Sequence, residues 1–66
     1  VEILLVMWED MPERISVNIR TSGSIDAGKL AALYGGGGHV RAAGFTMNTT
    51  MQKLFESIQK DIAKFF

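Results

Sequence analysis

Four consecutive glycines, Gly35 to Gly38, run directly into the chain's only histidine, His39, and on through Val40-Arg41-Ala42-Ala43-Gly44-Phe45. Five of the seven glycines fall within these eleven residues. Each glycine loses more backbone freedom on ordering than any other residue, so the run is a poor choice for a plain connector. What it offers is bare backbone. Without Cβ atoms, successive N–H groups are free to converge on an anion, and the His39 ring adds a further N–H at the same place. The structural alternative is a helix cap followed by a bend, because glycine commonly ends helices.

The flanking segments supply the regular structure. Ile3 to Trp8 is a continuous apolar run with two β-branched residues, which reads as a strand covered on both faces. Trp8 and Tyr34 have rings that could stack on bases, but core packing is the expected use of both. The run begins almost at the first residue, as expected of a chain that starts inside or just before a strand of something larger. Glu9-Asp10-Met11-Pro12-Glu13 is a turn signal, and Ile15, Val17 and Ile19 then alternate with Ser16, Asn18 and Arg20. These two strands form a hairpin, and the two-residue period puts Arg20 at the far end of the polar face. After the loop Thr21-Ser22-Gly23-Ser24, Asp26 caps a helix carrying Ala27, Leu30, Ala31, Leu33 and a core Tyr34, and Gly35 stops it. Gly28 inside that helix signals close packing.

Beyond the glycines, His39 to Ala43 is expected to form a short helical turn and Gly44 to Met47 a third strand. The glycine N–H groups would then stand at a helix N-terminus, a natural seat for a phosphate. Thr49 and Gln52 have capping-box spacing, and Met51, Leu54, Phe55, Ile58, Ile62 and Phe65 make one helical stripe. The predicted fold class is therefore α+β: a small sheet, the N-terminal hairpin plus a further strand, backed by helices, with a glycine-rich loop after the first helix.

Composition narrows the chemistry. Sixty-six residues with 47% hydrophobic content make one small globular domain, residues 1–66. Seven Lys and Arg balance seven Asp and Glu, so there is no broad positive field, and phosphate recognition has to be local. Arg20 brings a planar fork suited to a phosphate. There is no cysteine, and no apolar run approaches the roughly 20 residues of a membrane span, so the expectation is a cytoplasmic protein with no membrane role. One histidine and scattered acids do not resemble the dense Asp/His set of a two-metal hydrolase, and no spacing marks a nucleophile with its base. No catalytic residue and no metal ligand is assigned to this chain.

Three strings together, Val17-Asn18-Ile19-Arg20-Thr21-Ser22, Ile25-Asp26, and Tyr34-Gly35-Gly36-Gly37-Gly38-His39-Val40-Arg41-Ala42-Ala43-Gly44-Phe45, resemble the DHH-associated C-terminal domain of DHH phosphoesterases. The nanoRNase and pAp-phosphatase branch, related to exopolyphosphatases, is the most similar. The resemblance implies a substrate-binding domain, a C-terminal fragment of a larger two-domain phosphoesterase. Its missing N-terminal catalytic domain would hold Mn2+ and be this domain's partner, and the resemblance is compatible with a homo-oligomeric parent. It also implies substrate-binding roles for Arg20, Thr21, Ser22, Gly35, Gly36, Gly37, Gly38 and His39, which would hold the phosphates and sugar of a nucleotide or short single-stranded RNA or DNA. The family commonly has Ser after the arginine, where this chain has Thr21. By itself the chain would hydrolyse nothing. Alternatives are a KH-like single-stranded RNA-binding module, in which Gly35 to Gly38 would be a GxxG loop between two helices, and the homologous region of a DHH exonuclease or an alanyl-tRNA synthetase. Within the run, Gly37 is expected to need positive φ, so that valine there would block both the conformation and the approach of a ligand.

Overall fold

In a computed structural model of the chain, residues 2–64 are described; Val1, Phe65 and Phe66 lie outside them. Phe65, expected on the last helical stripe, is thus outside the described residues. The elements run β1 (Ile3–Met11), β2 (Arg14–Thr21), α1 (Ala27–Ala32), β3 (Gly37–Gly38), β4 (Ala42–Met47) and α2 (Met51–Ala63). The strands form one antiparallel sheet in the order β1-β2-β4-β3, and the fold is α+β.

β2 is the organising strand. Its alternation sends Ile15, Val17 and Ile19 to one face, all essentially without solvent contact. There they meet Phe45 of β4, Ala27, Leu30 and Ala31 of α1, and Leu54 and Ile58 of α2. Both helices therefore back the same face, and among the described residues nothing covers the other. That arrangement corrects the reading of β1. Ile3, Leu5 and Met7 pack against the core, but Leu4, Val6 and Trp8 point to the uncovered side and are 59%, 48% and 42% exposed. β1 is an edge strand covered on one face only, and Trp8 is not a core residue.

The helix boundaries follow local chemistry. Asp26 caps α1, accepting from the Lys29 N–H at 3.1 Å. At the other end the Gly36 N–H reaches the Ala31 carbonyl and the Gly35 N–H the Ala32 carbonyl, while Gly35 takes φ 80°. These paired bonds are a Schellman stop, and they require a residue that tolerates the left-handed region. α2 is capped by Thr50, which accepts from the Lys53 N–H. The capping box read at Thr49 and Gln52 is thus one residue out of place, because Thr50 is the residue that stays extended. Of the α2 stripe, Leu54 and Ile58 are buried and Ile62 packs on the core, whereas Met51 and Phe55 are exposed. A helix meeting only one sheet face buries a narrower stripe than the sequence offers.

Tyr34 fastens α2 to the end of α1. Its ring stacks on Phe45, with centroids 4.7 Å apart, and its hydroxyl donates to the Asp61 carboxylate and lies 3.2 Å from the Ser57 hydroxyl. Desolvation and the Asp61 bond push the phenol above its ordinary 10.0. In turn the Tyr34 bond, assisted by Lys64, holds the Asp61 carboxyl below its ordinary 3.8. Asp61 ionises more readily folded than unfolded, so its contribution is complete above about pH 4 and is lost as pH falls through the lowered native value. Tyr34 ionises less readily folded, so its contribution is full below pH 10 and is lost as pH rises through the raised one. Replacing Tyr34 with Phe is expected to cost about 1 kcal/mol at pH 7 and to flatten both limbs of the stability profile. Thermal unfolding across pH checks this, and unchanged limbs in the variant would refute it.

Candidate phosphate cradle on the open sheet face

Register decides which of the candidate residues meet. Arg20 is paired with Leu4 on β1 and with Ala42 on β4. Ala42 is joined to His39 by two backbone bonds, His39 N–H to Ala42 at 2.8 Å and Ala42 N–H to His39 at 3.3 Å. Paired residues of an antiparallel sheet share a face, so Leu4, Arg20, Ala42 and His39 form one transverse row on the open side. Arg20 and His39 are both exposed, two strand spacings or about 10 Å apart at the backbone, with only the methyl group of Ala42 between them. A guanidinium fork and an imidazole are thus carried on one face, on either side of a small-residue floor.

The next row continues that floor: Asn18, Gly44 and Gly37 are in register from β2 through β4 to β3. The Asn18 Oδ1 lies 3.2 Å from where a Gly44 Cβ would be, so the amide leans over the bare pair. Sequence reasoning placed Asn18 on the face of Arg20 without giving it a part in the site. The signal was available in the two-residue period, but only the register adds the two glycines beside it.

The second half of the glycine run, Gly37–Gly38, is a strand, which corrects the expectation of a helix after the run. Gly37 and Gly38 pair with Gly44 and Ala43, and Val40 and Arg41 form the turn into β4. The run therefore does not stand at a helix N-terminus, and the helix–GxxG–helix layout of a KH module is not present. The reason is satisfaction of the backbone: ladder bonds to β4 use groups that a helical turn would leave free. Gly28 makes the arrangement possible on the helix side, since a Cβ there would stand 3.2 Å from the Gly38 carbonyl oxygen.

The four glycines carry different demands. A Cβ on Gly36 would drive into the Gly44 carbonyl and come 2.5 Å from the Phe45 Cβ. A Cβ on Gly38, at φ 150°, would lie 2.6 Å from the Ala43 Cα. Gly37 differs: its φ is not in the left-handed region and a Cβ there would meet nothing within 4 Å. The expectation of positive φ at Gly37 is overturned, and the fold asks nothing of that glycine. Its lack of a side chain leaves the floor of the open face flat beside His39.

Thr21 and Ser22 are turned to other partners. The Thr21 hydroxyl reaches the Ile25 and Val40 carbonyls at 2.8 and 3.0 Å, and the Ser22 hydroxyl accepts from the Glu2 N–H at 3.0 Å. With the Thr21 N–H bonded to the Arg41 carbonyl, Thr21 clamps the turn that presents His39. Glu2, Leu4, Arg20, Thr21 and Ser22 line a shallow depression of about 200 Å³ next to the cradle. Among the described residues no three His, Asp or Glu side chains converge, so these residues do not fit a metal centre. No helix among them is long and apolar enough to cross a membrane.

Comparison with known proteins agrees in extent with the motif. The sequence profile of the DHHA1 domain matches residues 1–66. A relative from Thermus thermophilus, described as the bifunctional oligoribonuclease and PAP phosphatase NrnA, is 28% identical over 67 residues. The alignment covers 94% of this chain and 21% of that protein, so the chain spans about a fifth of the relative's length.

The contrast among the glycines is testable by stability alone. Gly36→Ala is expected to destabilise by roughly 1–3 kcal/mol, the usual cost of overpacking. Gly37→Ala is expected to be neutral or to stabilise by a few tenths through the unfolded state. Denaturant unfolding of the two variants side by side decides it, and equal losses would show that the run is uniformly structural.

Proposed function

The chain belongs to the DHHA1 domain family, and from that premise we propose that it is the substrate-holding domain of a phosphoesterase, seating a phosphate of a nucleotide or short oligoribonucleotide between Arg20 and His39. The observation that carries this reading is the transverse row itself: two phosphate-compatible side chains on one open face with only Ala42 between them. Arg20 supplies a planar fork, and the His39 imidazole supplies a ring N–H donor for a phosphate oxygen. The bare backbone at Gly37 lets a ribose or a second phosphate approach closely. Oligoribonucleotide and PAP chemistry, named for the Thermus thermophilus relative, supplies the substrate class. Hydrolysis is assigned to a separate catalytic domain holding Mn2+, with this domain as its cytoplasmic partner in the same protein.

Binding is the direct test. With adenosine 3′,5′-bisphosphate as probe at low salt, His39→Ala and Arg20→Ala are each expected to weaken binding roughly tenfold to a hundredfold, the worth of one charge-assisted bond. Both residues are exposed, so thermal stability stays close to that of the parent chain. Gly37→Val leaves the fold intact and weakens binding by obstruction. Calorimetric titration provides the measurement. Unchanged affinity in both His39→Ala and Arg20→Ala would remove the proposal, as would Mn2+-dependent hydrolysis by the purified chain alone.

A further inference from the structure

The open face carries a second feature that the cradle does not use. Leu4, Val6 and Trp8 form a stripe along β1, in register with Arg20, Asn18 and Ser16 of β2. The Trp8 ring is on the same face as the cradle and directly beside Ser16, whose hydroxyl bonds to Asp10 and Thr46. Asp10 in turn holds Arg14 through two bonds at 2.9 and 3.1 Å. Trp8 therefore stands on a braced end of the hairpin, its indole next to a row of hydrogen-bonding groups.

We propose that Trp8 is a stacking platform for a base of a single-stranded oligonucleotide whose phosphate is held between Arg20 and His39. This rests on the function proposed above and adds a length requirement to it. Trp8 is four residues along the strand from the Arg20 row and two strands across from the cradle midpoint, roughly 17 Å in all. That is too far for the base attached to the cradled phosphate, so the base stacked on Trp8 belongs to a nucleotide further along the strand. Between the two sites lie the Asn18 amide and Gly44, in register with each other, a polar path for the sugar–phosphate chain. Aromatic side chains beside a phosphate-binding track are the usual means of holding single strands without regard to sequence. The stripe alone is narrow, three residues 59%, 48% and 42% exposed, and the row of Arg20 and His39 on the same face favours a nucleic-acid occupant over a protein one.

Trp8 is the only tryptophan of the chain, so its fluorescence reads the contact directly. Titration with 5′-phosphorylated pentaadenylate is expected to quench it, and titration with adenosine 3′,5′-bisphosphate to leave it nearly unchanged. Trp8→Ala and Trp8→Leu are each expected to weaken pentaadenylate binding about tenfold, with bisphosphate affinity unaltered, while Trp8→Phe retains most of it. The exposed position keeps all three variants folded, which far-ultraviolet circular dichroism verifies. Failure of Trp8→Ala to weaken pentaadenylate binding would overturn the inference, as would a Trp8→Leu variant that binds like Trp8→Phe. Concentration-dependent self-association abolished by Trp8→Ala would assign the stripe to a second copy of the chain and also overturn it. His39→Ala separates this from the cradle: it lowers affinity for both probes if the cradle is right, whatever Trp8 does.

Discussion

The structure turns on how closely the backbone at Gly36 approaches β4. No side chain fits between Gly36 and the Gly44 carbonyl with Phe45 behind it, and that contact lets the glycine run lie down as a fourth strand instead of looping away. Three other features depend on it. Tyr34 stacks on Phe45 and ties down α2, α1 rests on β3 through Gly28, and His39 is delivered to the end of the Arg20 row. A single methyl group at Gly36 strains all three at once. A fold of this size has only a few kcal/mol of net stability against which such a strain is felt.

The fold's outline was legible because its strongest signals are periodic. Ile15, Val17 and Ile19 announce a half-buried strand, Asp26 and Gly35 bracket α1, and Leu54 and Ile58 mark the buried line of α2. The errors share one cause. Two-sided cover for the run Ile3 to Trp8 and a wide apolar stripe on the last helix place Trp8 and Phe55 in a core that reaches only one side of the sheet. It also read the glycines by their local freedom, which suits a loop or a helix start equally well. What decided for a strand is the long-range ladder to β4, which carries no local mark in Gly37 or Gly38 themselves.

For the site, residue types were legible and their roles were only partly so. Arg20 and His39 stand out by chemistry, and the family motif joins them, but their meeting across Ala42 is a matter of register. Thr21 and Ser22 are the hydroxyl positions after Arg20, with Thr21 standing where the family commonly has Ser, yet the structure turns their hydroxyls to the Ile25 and Val40 carbonyls and to the Glu2 N–H. A hydroxyl in a loop is ambiguous between bracing the loop and touching a ligand. Here the bracing partners are the ones within reach. Gly37 shows the opposite case: the structure finds no internal reason for its bareness, which is what makes it informative about an approaching molecule.

The geometry also bears on how strongly such a domain holds anything. Arg20 and His39 lie on an open face, where water screens each charged bond and keeps it near the low end of its range. The chain's balanced charge adds no long-range attraction to make up the difference. A phosphate gripped from one side only keeps much of its hydration, so tight binding needs a second surface that closes over the row and excludes water. In the reading proposed here the catalytic domain is that surface. On that proposal the domain with the cradle would fix register, and closure by the catalytic domain would supply both the low-dielectric environment and the chemistry. The flat floor of Ala42, Gly44 and Gly37 then serves both functions, leaving room for the substrate and for the surface that descends on it.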